Sequence, residues 1–348
     1  MLWFVGAGLA GVQSLTMQAK DVISKSDAVF VEQFTSPTGI EYFAEIEKLA
    51  LGKTHAIKRW AVEDGNKILN VSKTGTAVLI SWGDPYVATT HTELRTRAIT
   101  SGIKTGTIHG ASVLTAMVGE CGLHQYKIGK TVTIMSESNQ STTPYYTIYK
   151  NMIQGAHTIL LLEYNQDKDY FLDPVDALKI LQEAEKGQRR RVIIKDTFCL
   201  VASRIGSQNQ RIVAGNISHI IKKEFGNPPH ALIIPSSLHF TESDAINALA
   251  ECIDAPSDNS QKTPSIPKQM LKKYVPMIEH AISESKKLCK GDAHLEEVLD
   301  GASRYTDDAK QFLDDGQEDL AVLCIGYADG LADAVRIARG LEPAGASN

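Results

Sequence analysis

Two short segments carry residue types that suit ligand binding through backbone groups and a carboxylate. The run Gly6–Gly11 (GAGLAG) follows the apolar stretch Leu2–Val5, and glycines at this spacing let the backbone approach a ligand closely. The run Gly83–His91 (GDPYVATTH) follows a second apolar stretch, Val78–Trp82, and places the carboxylate of Asp84 just after it. Ligands of open α/β sheets bind beyond the carboxyl ends of the strands. Both segments therefore predict ligand contacts at that edge of a sheet.

The glycine turn by itself leaves two interpretations open. It fits the G-x-G-x-x-G dinucleotide motif, and Glu32 stands where that motif places the acidic residue that binds the ribose. The chain would then be an NAD-linked oxidoreductase. The next helix, however, is expected to begin at a cap on Ser14 or Thr16, which leaves a loop where the motif requires a helix. The other interpretation is a glycine-lined turn that brings backbone close to a different ligand.

The elements that must position these segments follow from alternating apolar runs and amphipathic stretches up to about residue 235. This alternation predicts an α/β fold with a largely parallel sheet. Phe198–Ala202 and Arg211–Val213 predict an antiparallel hairpin, and so a mixed second sheet. The helices are expected within Leu15–Ile23, Ile40–Leu51 and Pro174–Ala184. The predicted strands are Leu2–Val5, Ala28–Phe34, Ala77–Ser81, Thr131–Met135, Thr158–Glu163, Val192–Ile194 and Ala231–Ile234.

Beyond residue 254 the pattern changes. Residues 255–268 (APSDNSQKTPSIPK) combine proline, serine and lysine, a composition that predicts an extended linker. Apolar residues then recur at spacings of three and four, which predicts an all-α helical bundle over 269–348 with turns at 291–292 and 315–316. The α/β part is predicted to divide into domains 1–110 and 111–254.

The net charge and the cysteines limit the class of protein. Of 348 residues, 43% are hydrophobic and 22% are charged, as in folded globular chains. The net charge of −5 lies wholly after residue 255, where 11 basic residues face 16 acidic ones. A general basic field for nucleic acid or membrane lipid is therefore not expected. Five scattered cysteines and an N-terminus without a signal-peptide pattern predict a cytoplasmic protein with reduced thiols and no metal site.

Five longer segments follow the Gly-x-Gly-Leu turn along the chain. They are GDPYVATTHTELRTRA (Gly83–Ala98), CGLHQYKIGKTVTI (Cys121–Ile134), HTILLLEY (His157–Tyr164), RIGSQNQRIVAG (Arg204–Gly215) and FGNPPHALIIPSSLHFTE (Phe225–Glu242). In this order they resemble the diphthine synthase family of tetrapyrrole methylases, which use S-adenosyl-L-methionine. The helical part, through Gly326–Leu331, resembles a small archaeal domain of unknown function.

The resemblance implies a two-domain tetrapyrrole-methylase-like fold, with the cofactor in a cleft, and usually a homodimer. It implies methylation of the amino group of 2-(3-amino-3-carboxypropyl)histidine on translation elongation factor 2, which gives diphthine in diphthamide biosynthesis. A methylase of a corrinoid or sirohaem precursor is the alternative within the superfamily. The implied cofactor contacts are Leu9, Asp84, Val87, Ser112, Val113, Leu162, Glu163, Ile205 and His230.

Two further sets of residues are candidates by location alone. His91 and His109 lie near the predicted ligand loops, but a histidine at such a place is more often structural, and no catalytic base is assigned. Lys127, Lys130, Arg95 and Arg97 offer positive charge for docking the elongation factor. For each of these four residues, a solvated surface position is the more common role.

Overall fold

The computed structural model describes residues 1–36, 40–137 and 142–344. The chain forms two compact units, Met1–Thr263 and Pro264–Asn348. Each unit has its own hydrophobic core.

The first part of the first unit is built on a five-stranded parallel sheet with the strand order β3-β2-β4-β1-β5. Its strands are β1 (Leu2–Gly6), β2 (Ala28–Glu32), β3 (Thr54–Ile57), β4 (Ala77–Ser81) and β5 (Thr105–Ile108). Its helices are α1 (Met17–Lys25), α2 (Ile40–Leu49), α3 (Arg59–Asp64), α4 (Asn66–Thr74) and α5 (His91–Thr100). β2 and β4 are buried along their whole length and β1 almost so, and such strands read as continuous apolar runs. The sequence pattern does not predict β3 and β5, because these edge strands are partly exposed and less apolar.

The rest of the first unit is built on a six-stranded mixed sheet with the order β13-β11-β10-β12-β7-β6. The strands after β5 are β6 (Val132–Ile134), β7 (Thr158–Leu162), β8 (Tyr164–Asn165), β9 (Tyr170–Phe171), β10 (Phe198–Ser203), β11 (Arg211–Asn216), β12 (His230–Ile234) and β13 (Glu251–Cys252), of which β8 and β9 form a separate hairpin. The helices are α6 (Val113–Glu120), α7 (Thr142–Ile153), α8 (Pro174–Gln188), α9 (Ile217–Ile220) and α10 (Phe240–Leu249). The predicted antiparallel hairpin is confirmed as β10 and β11.

The apolar run Val192–Ile194 is not a strand, contrary to the prediction. Val192 and Ile193 are buried, but their backbone N–H groups donate to Oε2 of Glu185, at 2.8 and 3.0 Å. A buried backbone donor needs a partner, and here a side chain of α8 supplies it instead of a neighbouring strand. An apolar run indicates burial, but it does not show whether a neighbouring strand or a side chain accepts the backbone hydrogen bonds.

The chain passes from the first sheet to the second between β5 and β6, and the predicted domain boundary at residue 110 lies in this stretch. The division into domains 1–110 and 111–254 stays a prediction, because residues 1–263 form one compact unit.

The segment 255–268 is more ordered than the predicted linker. Asn259 is buried, accepts a hydrogen bond from the backbone of Phe198 (2.8 Å), and donates to the carbonyls of Phe198 and Pro235 (both 2.8 Å). The next helix begins at Ile266, where Ser265 caps it. The proline-rich composition predicts that this segment does not build a hydrophobic core of its own. Asn259 nevertheless fixes it to the first unit, because its side chain pairs with backbone groups that would otherwise be buried without a hydrogen-bond partner.

The second unit is the predicted helical bundle. Its helices are α11 (Ile266–Leu288), α12 (Ala293–Asp314) and α13 (Glu318–Ala338). Gly291 and Gly316 adopt positive φ angles (92° and 76°) at the two predicted turns, a conformation that costs glycine little. The core is formed by side chains on the inner faces of the helices, among them Leu271, Ile278, Ala302, Leu299, Ile325 and Ala328.

Asp329 in α13 is expected to destabilise this bundle. Its Oδ1 is buried and has no hydrogen-bond partner among the described residues. Burial raises the pKa of Asp329, and the nearby Asp333 raises it further. A carboxyl whose pKa is raised by folding costs stability once the pH exceeds its unfolded-state pKa. We expect Asp329→Asn to raise Tm at neutral pH by about 1–3 °C, with a smaller gain near pH 4. Circular dichroism melts will measure both. The exposed Asp308→Asn is the control, and an equal gain there would contradict the explanation.

Candidate functional site

A cavity of about 1040 Å³ opens in the first unit at the carboxyl ends of strands from both sheets. Leu9 follows β1, Asp84 follows β4 and Ser112 follows β5, while Ile205 follows β10. The volume lies at the upper end of the roughly 300–1,000 Å³ that is typical of small-molecule sites. The cavity therefore stands where open α/β sheets bind their ligands.

The nine residues predicted to contact a cofactor all line this one cavity. They come from segments as far apart as the glycine turn and the strand β12, so the tertiary structure brings them together. They are Leu9, Asp84, Val87, Ser112, Val113, Leu162, Glu163, Ile205 and His230.

The glycine turn and the Asp84 loop are joined directly by backbone hydrogen bonds. The N–H of Gly8 donates to the carbonyl of Gly83 (3.1 Å), and the N–H of Gly83 donates back to the carbonyl of Gly8 (3.0 Å). Gly110, after β5, packs against both loops so closely that an added Cβ would strike the backbone of Gly83, Gly6 and Gly8. Beside the cavity, the backbone of one ligand loop thus packs directly on the backbone of the other.

Gly110→Ala is expected to disrupt this close packing of the two loops. The added methyl group would displace backbone atoms of both ligand loops, which no side-chain rotation can relieve. Overpacking of this kind costs about 1–3 kcal/mol or more. Urea unfolding will measure the loss. Gly119→Ala is the matched control, because a Cβ there meets nothing within 4 Å and alanine favours the helix α6 by about 0.5–1 kcal/mol. Equal stabilities of the two variants would show that the glycine packing is unimportant.

Asp84 is held in a fixed orientation in the cavity wall. Its Oδ1 accepts a hydrogen bond from the backbone N–H of Tyr86 (3.0 Å), and its Oδ2 lies 2.7 Å from Nδ1 of His109. The Asp84 side chain is almost buried, whereas that of His109 is 70% exposed. A carboxylate has about four acceptor positions, so Asp84 retains the capacity to bind a ligand donor. His109 itself does not line the cavity and orients Asp84 from outside.

His91 is fully buried and also does not line the cavity. Its Nδ1 lies 3.0 Å from the carbonyl of Pro85 and 3.1 Å from the hydroxyl of Ser81, and its Nε2 lies 3.0 Å from Oε2 of Glu32. His91 therefore ties the Asp84 loop to β4 and β2. His91 thus has a structural role and is not placed to act as a base on a ligand in the cavity.

The same contacts remove the basis for the dinucleotide interpretation. Glu32 is buried and accepts a hydrogen bond from the hydroxyl of Thr35 in addition to its contact with His91. It is therefore not available to bind a ribose. The helix α1 begins only at Met17, where Thr16 caps it by accepting from the N–H of Ala19 (3.0 Å), so its N-terminus does not follow the glycine turn directly.

Comparison with known proteins decides between the remaining interpretations. The family model described as "Tetrapyrrole (Corrin/Porphyrin) Methylases" matches residues 1–221. The chain belongs to the tetrapyrrole methylase family. Within this family it groups with the diphthine synthases, so it is an S-adenosylmethionine-dependent methyltransferase. The diphthine synthase of Methanosphaera stadtmanae is 34% identical over 254 residues, which cover 72% of this chain and 96% of that protein.

Two further similarities support the assignment. The diphthine synthase of Methanosarcina acetivorans is 35% identical over 257 residues, which cover 72% of this chain and 96% of that protein. A crystal structure of diphthine synthase superposes with a TM-score of 0.66 at 30% identity, covering 75% of this chain and 99% of that one. The predicted methylase-like fold is thus confirmed. The helical part, residues 273–341, matches a separate family described as a protein of unknown function (DUF357).

In this methylase, Arg204 fixes the loop that leads to His230. Its guanidinium donates to the carbonyls of Phe225 (3.0 Å), Asn227 and Asn209 (3.0 Å). Both ring nitrogens of His230 have partners within the protein. Nε2 donates to the carbonyl of Gly226 (3.1 Å), and Nδ1 lies 2.9 Å from the hydroxyl of Ser203. Burial lowers the pKa of His230, so its ring is neutral near pH 7.

Tyr42 is a cavity residue of the methylase that sequence analysis missed. Its ring packs edge-on against Trp82, with centroids 5.3 Å apart. Its hydroxyl is buried and has no hydrogen-bond partner among the described residues. Burial raises the pKa of Tyr42, and Glu32 and Glu45 add to the shift, so the hydroxyl keeps its proton as a donor. In the sequence, Tyr42 is one more residue of an amphipathic helix, and no local signal distinguishes it.

The basic residues considered for docking have mainly structural partners. Lys127 donates to Glu242 (2.8 Å) and to the carbonyl of Ser237. Arg97 donates to the carbonyls of Asp64 and Glu63, and Arg95 lies over the ring of Tyr86. Lys130 is exposed. None of the four lines the cavity, and their role in docking stays a prediction.

Proposed function

We propose that this chain transfers methyl groups from S-adenosylmethionine to the amino group of 2-(3-amino-3-carboxypropyl)histidine on translation elongation factor 2, giving diphthine. One observation carries the proposal. All nine residues taken from the diphthine synthase resemblance, which lie far apart in the sequence, line a single cavity. The curated relatives that match nearly their full length to this chain are named diphthine synthases.

The residues of the cavity fit S-adenosylmethionine. Asp84 offers a fixed carboxylate to the hydroxyl or amino groups of the cofactor. The orphaned hydroxyl of Tyr42 offers a donor, and burying it without a partner would cost about 1–3 kcal/mol. The apolar side chains of Leu9, Val87 and Ile205 offer a surface for the adenine ring. This combination of an apolar lining with a few convergent polar groups is typical of small-molecule sites.

Methyl transfer depends mainly on the alignment of the substrate with the cofactor. When bound, S-adenosylmethionine supplies a methyl carbon that its sulfonium group already activates. The protein must hold the substrate nitrogen in line with that carbon, and positioning of this kind contributes about 7–11 kcal/mol. The paired backbone hydrogen bonds between Gly8 and Gly83 hold the two ligand loops together, and the contact with His109 orients Asp84, which supports this task. A cavity of about 1040 Å³ leaves room for a substrate amino group that becomes bulkier with each added methyl group.

The proposal extends to the assembly and location of the protein. The family resemblance favours a homodimer, and the scattered cysteines, all of them free, favour the cytoplasm. Of the helices described, none has the length and apolar character needed to cross a membrane.

The test is methylation of purified elongation factor 2 that carries the carboxypropyl-modified histidine. Mass spectrometry after incubation with S-adenosylmethionine should show whole methyl groups added at that residue, and it will count them. Elongation factor 2 with an unmodified histidine is the control. Methylation of a corrinoid or sirohaem precursor in place of the elongation factor would overturn the proposal.

A further inference from the structure

The small hairpin of β8 and β9 contributes two stacked aromatic rings to the wall of the cavity. Tyr164 and Phe171 are cross-strand partners in this hairpin, their rings are nearly parallel (12°), and the ring centroids lie 4.3 Å apart. Both side chains are partly exposed, and both line the cavity. In such a stack each ring covers one face of the other, and its own outer face is left for a further contact.

The β8–β9 hairpin is held against the end of β2, which brings a third ring to the same part of the cavity. In the turn of the hairpin, Nε2 of Gln166 donates to Oε1 of Gln33 (3.0 Å). Phe34 is the next residue along the chain and also lines the cavity. We call the part of the wall that these three rings form the aromatic end; its residues are Phe34, Tyr164 and Phe171.

The aromatic end offers ring faces and a carboxylate to a cation. Glu163 precedes Tyr164 and lines the cavity, and its Oε2 accepts a hydrogen bond from the backbone N–H of Ser136 (2.7 Å). A carboxylate has about four acceptor positions, so Glu163 keeps the capacity to pair with a further positive group. In the described part of the chain, lysine and arginine side chains lie over other rings, but none lies over a ring of the aromatic end.

The basic residues of the cavity wall are engaged elsewhere. Among the described residues, the cavity is lined by two arginines and no lysine. Arg59 donates through Nε to Oε1 of Glu63 (2.9 Å), and Arg204 donates to three backbone carbonyls. The protein therefore does not fill the aromatic end with a cation of its own.

We propose that the aromatic end binds the methylated ammonium group of the substrate. The face of an aromatic ring attracts a positive charge, and proteins recognise quaternary ammonium ligands in this way. The inference rests on the proposed function, since it gives a place to the nitrogen that the reaction methylates. When the lone pair of this nitrogen bonds to the methyl carbon, the C–S bond breaks, its electron pair stays on sulfur, and the positive charge passes to nitrogen. A nitrogen that still carries hydrogen then releases a proton to water, whereas a fully methylated nitrogen keeps its charge beside the rings.

Ligand-observed NMR titration of the full-length protein, saturated with S-adenosylhomocysteine, tests the aromatic end without the elongation factor. The probes are choline, which carries a trimethylammonium group, and 3,3-dimethylbutanol, the neutral isostere in which carbon replaces nitrogen. We expect choline to bind about 5- to 30-fold more tightly, which is the range of a cation–π contact. Equal affinities would overturn the inference, because packing alone does not distinguish the two probes.

Tyr164→Leu is expected to remove most of the preference for choline and to leave the affinity for S-adenosylhomocysteine unchanged. Tyr164→Phe keeps the ring and should keep the preference. Tyr126→Leu is the matched control, because Tyr126 is 82% exposed and does not line the cavity. Circular dichroism melts will check that all three variants are folded. An unchanged preference in Tyr164→Leu would contradict the role of the ring. A lost affinity for S-adenosylhomocysteine would also overturn the inference, because it would assign the ring to the cofactor.

The result can be separated from that of the proposed function. Methylation of elongation factor 2 without a preference for choline would refute the aromatic end alone. A preference for choline without methylation of elongation factor 2 would uphold the ammonium subsite and refute the proposed substrate.

Discussion

Asp84→Asn is expected to weaken the binding of S-adenosylhomocysteine by about 10- to 100-fold, and methyl transfer with it. The carboxylate is almost buried, and hydrogen bonds from Tyr86 and His109 aim it at the cavity. Hydrogen bonds to a charged group contribute about 1.5–3 kcal/mol, which corresponds to this range of affinity. Asparagine has nearly the same shape and keeps the acceptor for the N–H of Tyr86, so the loop should stay folded.

Isothermal titration calorimetry will measure the affinity, and a Tm close to that of the unaltered protein will show that the fold is intact. His109→Ala is the informative companion, because His109 contacts Asp84 but does not line the cavity. If His109 acts only by orienting Asp84, its loss should cost less than the loss of the carboxylate. The double variant should then be no worse than Asp84→Asn alone. An unchanged affinity in Asp84→Asn would show that Asp84 does not hold the cofactor.

Glu242→Ala is expected to lower the free energy of unfolding by about 3–5 kcal/mol. Glu242 is fully buried and accepts hydrogen bonds from Nζ of Lys127 (2.8 Å), Nε2 of His157 (3.0 Å) and the backbone of His124 and His239 (2.8 and 2.9 Å). Removing the carboxylate would leave a largely buried ammonium group and several buried donors without partners. Breaking a buried ion pair by removing one member is costly for this reason.

The exposed pair between Arg211 and Glu251 provides the control. Glu251 is 49% exposed in this ion pair, and surface ion pairs contribute about 0–1 kcal/mol. Urea unfolding of Glu242→Ala and Glu251→Ala will compare the two. Equal losses would contradict the importance of the buried cluster.

The same cluster makes the stability of the first unit sensitive to acid. Burial alone would raise the pKa of Glu242, but the hydrogen bonds from Lys127, His239, His124 and His157 outweigh it and hold the pKa at about 2. Its contribution is therefore present above the unfolded-state value of about 4.3 and is lost as the pH falls toward 2. Burial lowers the pKa of His157, so its contribution is lost as the pH falls below about 6.5. The loss of stability in acid should be smaller in Glu242→Ala.

The sequence by itself determined the class of fold and the family. Fully buried strands such as β4 are continuous apolar runs, and the bundle helices show a clear period of three and four, so local patterns suffice to find them. Gly83–Ala98 and the four later segments identified the family, because the residues around a ligand site are constrained by chemistry as well as by packing. The same resemblance supplied the nine predicted contact residues, all of which line the cavity.

Only the tertiary structure decided which contacts hold those residues in place and which neighbouring side chains can reach a ligand in the cavity. Asp84 and Glu32 both lie at the carboxyl end of a buried strand, yet the carboxylate of Asp84 lines the cavity and that of Glu32 is buried against His91. Tyr42 reaches the cavity from a helix whose sequence shows only an apolar face. Val192 and Ile193 are buried without belonging to a strand, because Glu185 accepts the hydrogen bonds of their backbone N–H groups. Partners of this kind come from distant parts of the chain, and a local pattern records burial but not the identity of the group that satisfies it.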